Sequence, residues 1–214
     1  LDGRRVEFRV VNDRSATELL EILERDLFAE GPVHALAGPL YSDAVLEVAP
    51  VLEELQLPAL VDADTIELDD LWPTCDRWTF DIAPPGPLSG LLAGRFLAEQ
   101  GCTQVTVVEY DSTGGRSRAE AARLALDDAG VAHRTVQLSR DLLDDYANVV
   151  ADLKGGGADC GAFYASIRVS NALMVEWRND PPAEWTWVGA WGEPTFDSAP
   201  VAGLYDGMYS TESS

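Results

Sequence analysis

Ser42 lies in Leu40-Tyr41-Ser42-Asp43-Ala44, where a hydroxyl could attack a substrate or hold a ligand. A serine nucleophile on an α/β scaffold occupies a G-x-S-x-G elbow and needs a histidine base. This segment is not such an elbow, and neither His34 nor His133 has a credible partner position. Both histidines are flanked by apolar residues and read as structural. With no C-x-x-C in the chain, they do not supply a zinc ligand set. A second candidate is Asp111-Ser112-Thr113-Gly114-Gly115-Arg116, between a strand pattern and a helical one. The location suits a phosphate loop, but neither G-x-G-x-x-G nor a Walker A pattern is present. An ordinary strand–helix turn that needs glycine is the simpler reading. Carboxylates pair at Asp69-Asp70, Asp127-Asp128 and Asp144-Asp145. In a chain with 37 acidic and 15 basic residues these are solvated surface. Nothing here argues for acid–base catalysis, a metal or a cofactor, so the chain reads as a binding module and not an enzyme.

Binding is the chemistry left to Ser42. At a helix start, free backbone N–H groups and the helix dipole favour an anion such as a carboxylate. The plain alternative is that Ser42 only caps its helix.

The bulk composition narrows the partners. The 214 residues are 46% hydrophobic and 24% charged, as in ordinary globular chains. A net charge of −22 repels phosphate backbones and anionic membranes, which argues against nucleic acid and lipid surfaces. No apolar run approaches the roughly 20 residues of a membrane helix.

The elements that must position Ser42 alternate along the chain. Val6–Val11 reads as a strand and Thr17–Glu30 as a helix closed by Gly31-Pro32. Val33–Ala37 reads as a strand, Ser42 as the cap of a helix over Ala44–Leu55, and Pro58–Val61 as the next strand. Pro50 threatens a kink or an early break in that helix. Asp62–Pro87 is acidic and Pro-rich and reads as irregular, ending in the connector Ala83-Pro84-Pro85-Gly86-Pro87. The alternation then restarts: helix Leu88–Gln100, strand Val105–Val108, helix Ser117–Ala129, strand Val131–Leu138 and helix Leu142–Lys154. Strand Gly161–Tyr164, helix Val169–Arg178 and strand Trp185–Val188 follow. Two successive βα blocks predict an α/β fold of two doubly wound lobes with mainly parallel sheets, 1–83 and 84–214. Leu36, Leu60, Val107, Phe163 and Val188 should be buried strand residues.

In open parallel sheets ligands bind outside the carboxyl ends of the strands. Those ends carry Pro39–Ser42, Asp62–Thr65, Asp111–Gly115, Tyr164–Arg168 and Ala190–Glu193. Ser42, Asp64, Thr65, Tyr164 and Trp191 are therefore the candidate ligand contacts in a cleft between lobes. The cysteines are Cys75, Cys102 and Cys160. Cys102 and Cys160 each precede a predicted strand, and those strands should be parallel neighbours. A disulfide is open to them if their Cα atoms approach to about 5.5–6 Å; two buried thiols is the favoured alternative.

An ordered series of short motifs resembles the type 1 periplasmic binding proteins, in the leucine/isoleucine/valine-binding branch of ABC importers. Asp2-Gly3-Arg4-Arg5-Val6-Glu7 is similar to that family's N/D-G-R-x-V-E turn and strand, and Gly38-Pro39-Leu40-Tyr41-Ser42 to its G-P-x-x-S loop. Leu57-Pro58-Ala59-Leu60 resembles its I-P-x-I strand, and Gln104 to Gly115 its V-A-I-V-x-D-D-x-x-Y-G segment. Val188-Gly189 and Ala202 to Met208 resemble its late strand and final crossing. The resemblance implies that Ser42 and Thr65 hold a ligand carboxylate. Gly114 stands where the family places an aromatic residue, and Trp191 where it places the acid that receives an α-ammonium group. Glu193 is two positions further on. A carboxylate or aromatic solute without an amine fits as well as an amino acid.

The family also implies a strand and helix before Leu1 and further elements after Ser214, so this fold is expected to be incomplete. The implied function is a solute receptor of an ABC importer, extracytoplasmic, with a small polar solute and an ABC permease as partners. Two other readings are a ligand-sensing region of a larger receptor or regulator, cytoplasmic in the regulator case, and, less favoured, an α/β enzyme acting on a phosphorylated ligand.

Overall fold

The computed structural model describes residues 5–12, 19–23, 27–61, 78–82, 86–139, 145–165, 167–179, 185–189 and 208–210. They fall into two compact units, the described residues up to Ile82 and those from Gly86 onward.

The first unit is built around helix α2 (Ser42–Leu55). Val45, Val48, Ala49 and Leu52 recur at helical spacing and form its buried face. They pack on Ala59 and Val61 of strand β2 (Ala59–Val61) and on Leu23 and Leu27, which adjoin the short helix α1 (Leu19–Ile22). Pro50 does not interrupt α2, which runs on to Leu55. The helix closes at Gln56, whose left-handed φ of 52° lets the Leu57 N–H reach back to the Leu52 carbonyl at 2.9 Å. Strands β1 (Leu36–Ala37), β2 and β3 (Thr79–Asp81) form a parallel sheet in the order β1-β2-β3.

Four expectations need correction in this unit. Residues 6–11 form no strand: among the described residues they have no ladder partner, and Val6, Phe8 and Val10 are exposed. A strand exists only through a neighbour that satisfies its backbone groups, and the alternation of Val6–Val11 cannot provide one. The stretch read as irregular contains β3, paired with β2 through Leu60↔Phe80. Leu60 is not buried. Strand alternation turns it away from Ala59 and Val61, leaving it 49% exposed beside Phe80 at 48%. Leu36 is half-buried.

The second unit has five parallel strands in the order β5-β4-β6-β7-β8. They are β4 (Gln104–Tyr110), β5 (Ala132–Leu138), β6 (Cys160–Tyr164), β7 (Thr186–Gly189) and β8 (Tyr209–Ser210). Four helices cover both faces: α3 (Gly86–Glu99), α4 (Thr113–Asp128), α5 (Tyr146–Gly155) and α6 (Ile167–Asn179). Val105, Val107, Ala162, Tyr164 and Val188 turn toward Ala93 and Leu97 of α3 and Ala119, Ala122 and Leu126 of α4. Val108, Leu138, Phe163 and Trp187 turn the other way, onto Val150 and Leu153 of α5 and Leu173, Met174 and Trp177 of α6. Period-two alternation thus serves two cores at once, which is why these strands read as continuous apolar runs. Val107, Phe163 and Val188 are buried as expected.

Small residues allow the closest approaches. A Cβ on Gly94 of α3 would lie 2.6 Å from the Ala122 carbonyl and 2.7 Å from the Ala125 side chain. Gly161 has no room for a Cβ beneath the Trp187 ring, its register partner on β7. Arg134 closes the C-terminus of α5. It donates to the Asp152 carbonyl at 2.8 Å and to Thr106 Oγ1 at 3.1 Å, placing a cation where the helix dipole favours one.

Cys102 and Cys160 precede and open parallel neighbours, as the sequence indicated, and they are bridged, with Cα atoms 6.0 Å apart. The favoured expectation of two free thiols is thereby overturned. β4 and β6 pair directly from Val105↔Cys160 onward, which brings the two Cα atoms within bonding range. Asp159 adds a second strut at the same end. It accepts from the Thr103 N–H at 2.9 Å, Thr103 Oγ1 at 2.7 Å and the Gln104 N–H at 3.0 Å. Burial pushes the Asp159 carboxyl up, but these hydrogen bonds prevail and hold it below its ordinary value.

Candidate functional site

In the first unit, the loop from β1 to α2 carries Ser42. Its backbone is fixed at both ends: the Gly38 N–H donates to the Leu60 carbonyl at 2.7 Å, and the Val45 N–H to the Tyr41 carbonyl at 2.9 Å. Gly38 has φ of 109°, which glycine reaches without strain. Ser42 is the first residue of the helix and not its cap. The cap position belongs to Tyr41, in extended conformation and with no side-chain capping bond. Residue preference pointed to serine, but the backbone leaves the extended region one residue earlier. The Ser42 side chain is 8% exposed. The strands leading to Ser42 and toward Thr65 are β1 and β2, which are neighbours. Asp64 and Thr65 themselves lie outside the described residues.

In the second unit, the loop after β4 satisfies itself. Ser112 caps α4 by accepting from the Gly115 N–H at 3.1 Å, and Asp111 pairs with Arg116 at 2.7 Å. A Cβ on Gly115 would press on the Ser112 hydroxyl at 3.0 Å, so the glycine serves a tight strand–helix turn. Glu109, at the ligand end of β4, is buried and held by Arg123 at 2.7 Å and Gln137 at 3.2 Å. That group escaped the sequence reading because its partners come from α4 and β5, and only the β4–β5 register brings them together.

Tyr164 closes β6 on the face under α3 and α4. It is 1% exposed, and its hydroxyl has no hydrogen-bond partner. Burial pushes the phenol well above its ordinary value, and the Arg118 charge offsets part of that shift. Trp191 lies outside the described residues. His133 pairs with Asp127 at 3.0 Å.

Cys102, Cys160 and Asp159 bring two sulfurs and a carboxylate within 4.8 Å of one another. The sulfurs are bonded together, and the carboxylate oxygens already accept from Thr103 and Gln104. The group is a strut with its donor atoms spent, not a metal cage.

Two parallel sheets flanked by helices define an α/β protein, and sequence comparison makes its class specific. A family profile described as periplasmic binding protein matches residues 1–175. The chain belongs to this periplasmic binding protein family. No curated protein matches it in sequence.

Solved structures share its fold. One is the solute-binding protein of an ABC transporter from Rhodopseudomonas palustris BisB5 in complex with 3,4-dihydroxybenzoic acid. It has 17% identity and a TM-score of 0.76 over 88% of this chain and 52% of that one. Another is a solute-binding protein of an ABC transporter from R. palustris in complex with benzoate, at 16% identity and a TM-score of 0.73 over 89% and 52%. A third is the leucine-binding protein LivK from Thermotoga maritima MSB8, at 18% identity and a TM-score of 0.77 over 88% and 53%. The chain spans about half the length of each. These likenesses bear out the type 1 periplasmic-binding-protein fold, represented here in part.

Proposed function

We propose that the protein is a solute receptor of an ABC-type importer, binding a small carboxylate or amino-acid-like molecule. The observation that carries the reading is Ser42 in the first turn of α2, in a loop held at both ends, within a chain of the periplasmic binding protein family. The benzoates and leucine held by the structural relatives share a carboxylate, the group that a helix start favours. Ser42, Asp64 and Thr65 contact the ligand from the first lobe. Trp191 contacts it as well. The family and its solved relatives are binding proteins, which supports a receptor without catalytic residues.

The receptor works outside the cytoplasm and hands its solute to an ABC permease. The Cys102–Cys160 bridge supports that location, because disulfides persist in oxidising compartments. Among the described residues no helix is long and apolar enough to cross a membrane.

A thermal-shift panel of carboxylates, amino acids and nucleotides on the full-length protein tests the reading. Carboxylates or amino acids should raise the melting temperature by mass action. A response to nucleotides alone would refute it. Ser42→Ala should then weaken the bound compound by about 1.5–3 kcal/mol, roughly tenfold to a hundredfold, as a hydrogen bond to a charged group is lost. Unchanged affinity in calorimetry would remove Ser42 from the site.

A further inference from the structure

We propose that Asp159 is an electrostatic guard of the Cys102–Cys160 bridge: it turns away anionic thiols, so the bridge is a fixed strut and not a redox switch. The placement of the carboxylate carries the proposal. Asp159 precedes Cys160 in the chain, and Thr103 follows Cys102. Bonds from the Thr103 N–H at 2.9 Å and the Thr103 hydroxyl at 2.7 Å draw the carboxylate across to the other strand, and the Gln104 N–H adds a third donor at 3.0 Å. A carboxylate oxygen and the two sulfurs therefore lie within 4.8 Å of one another. The same bonds favour the ionised carboxyl. Each donor is neutral, so none of them cancels the charge beside the sulfurs. A strut alone would need only a neutral acceptor, such as the amide oxygen of asparagine.

The charge acts on the exchange step itself. A thiolate attacks one sulfur, a new S–S bond forms to it, the bridge breaks and the other cysteine leaves as a thiolate. A second thiolate then attacks the mixed disulfide, departs as the small disulfide and leaves the remaining cysteine as a thiolate; both cysteines take protons from water. Asp159 repels the incoming anion and the thiolate that leaves. The net charge of −22 adds a weaker, longer-range repulsion. Burial of Cys102 and Cys160 hinders thiols of one size alike, whereas the carboxylate sorts them by charge.

Rates of bridge opening test the proposal. They are measured at low ionic strength on the full-length protein carrying Cys75→Ser, so that the bridge is the source of new thiols, by alkylation and mass spectrometry. The probes are mercaptoacetate, 2-mercaptoethanol and cysteamine, which are of similar size and whose thiolates are doubly negative, singly negative and zwitterionic; rates are expressed per thiolate. Relative to cysteamine, Asp159→Asn should speed mercaptoacetate roughly tenfold and 2-mercaptoethanol roughly threefold, the scale of two charges or one meeting a carboxylate near water. Added salt should shrink both ratios. A carboxylate that merely holds the strands together would, on removal, speed all three thiols by one common factor. A common factor, or no change, overturns the proposal. The wild-type bridge gives a second reading that does not depend on the variant's folding. In urea, where Thr103 no longer holds the carboxylate, the spread among the three thiols should narrow; an unchanged spread also overturns the proposal.

Discussion

Strand β6 of the second unit is buried along its whole length, whereas β2 of the first unit buries Ala59 and Val61 and leaves Leu60 open between them. Both strands are short, apolar and parallel to their neighbours. The difference lies in what covers them. In the second unit α3 and α4 lie on one face and α5 and α6 on the other, so odd and even residues both find a core. Among the described residues of the first unit, one core cluster gathers on the α2 side of the sheet, and Leu60 and Phe80 stay exposed. A run of apolar residues therefore shows that a strand has the means to be buried twice, but not that both faces are covered.

The sharpest way to break this contrast is to separate the units. Residues 84–214 alone should unfold cooperatively in urea, and residues 1–83 alone should not, as followed by circular dichroism. A cooperative transition from 1–83 would show that one-sided cover suffices. Next in size is the bridge. Replacing Cys102 and Cys160 by alanine should destabilise the second unit by up to about 4 kcal/mol, the chain-entropy value for a 58-residue separation. The unfolded, unreduced wild type should show a single reactive thiol per chain. Three would exclude the bridge. The smallest effects come from a matched pair. Gly94→Val, forced against the Ala122 carbonyl, should cost about 1–3 kcal/mol, and Leu60→Thr less than about 0.5 kcal/mol. An equal loss from Leu60→Thr would mean that the outer face of the first sheet is covered in solution.

The parallel βα alternation was legible because period-two and helical patterns are local. The helices of the second unit lie close to where spacing put them, with α4 starting four residues early because Ser112 supplies a cap that the apolar count ignores. Pairing was legible for β4 with β6 and for β1 with β2, which are neighbours as expected, but not elsewhere in the first unit. Val6–Val11 has a strand's alternation and no partner among the described residues, while Thr79–Asp81 has little pattern and still pairs with β2. Ladder bonds are non-local, and three residues carry too little alternation to reveal them. At the site, residue type suggested Ser42 as the cap, but the backbone assigned that position to Tyr41. Tyr164 was expected at a strand-end loop and is buried under two helices, because the last residue of a strand still alternates with its neighbours. Asp64, Thr65 and Trp191 stay as sequence expectations.

The disulfide and the Asp159 bonds gather where β4 and β6 begin, and the loops proposed for ligand contact start where those strands end. Selection can therefore act on the two rims separately. Exchanges in the loops after Tyr110 and Tyr164 leave the bridge and the Asp159 bonds untouched, so they can alter what is recognised while the sheet stays assembled. Exchanges at Cys102, Asp159 or Cys160 cost stability whatever the ligand. Over many generations such a lobe can drift between solutes on one side of its sheet while the other side stays nearly fixed.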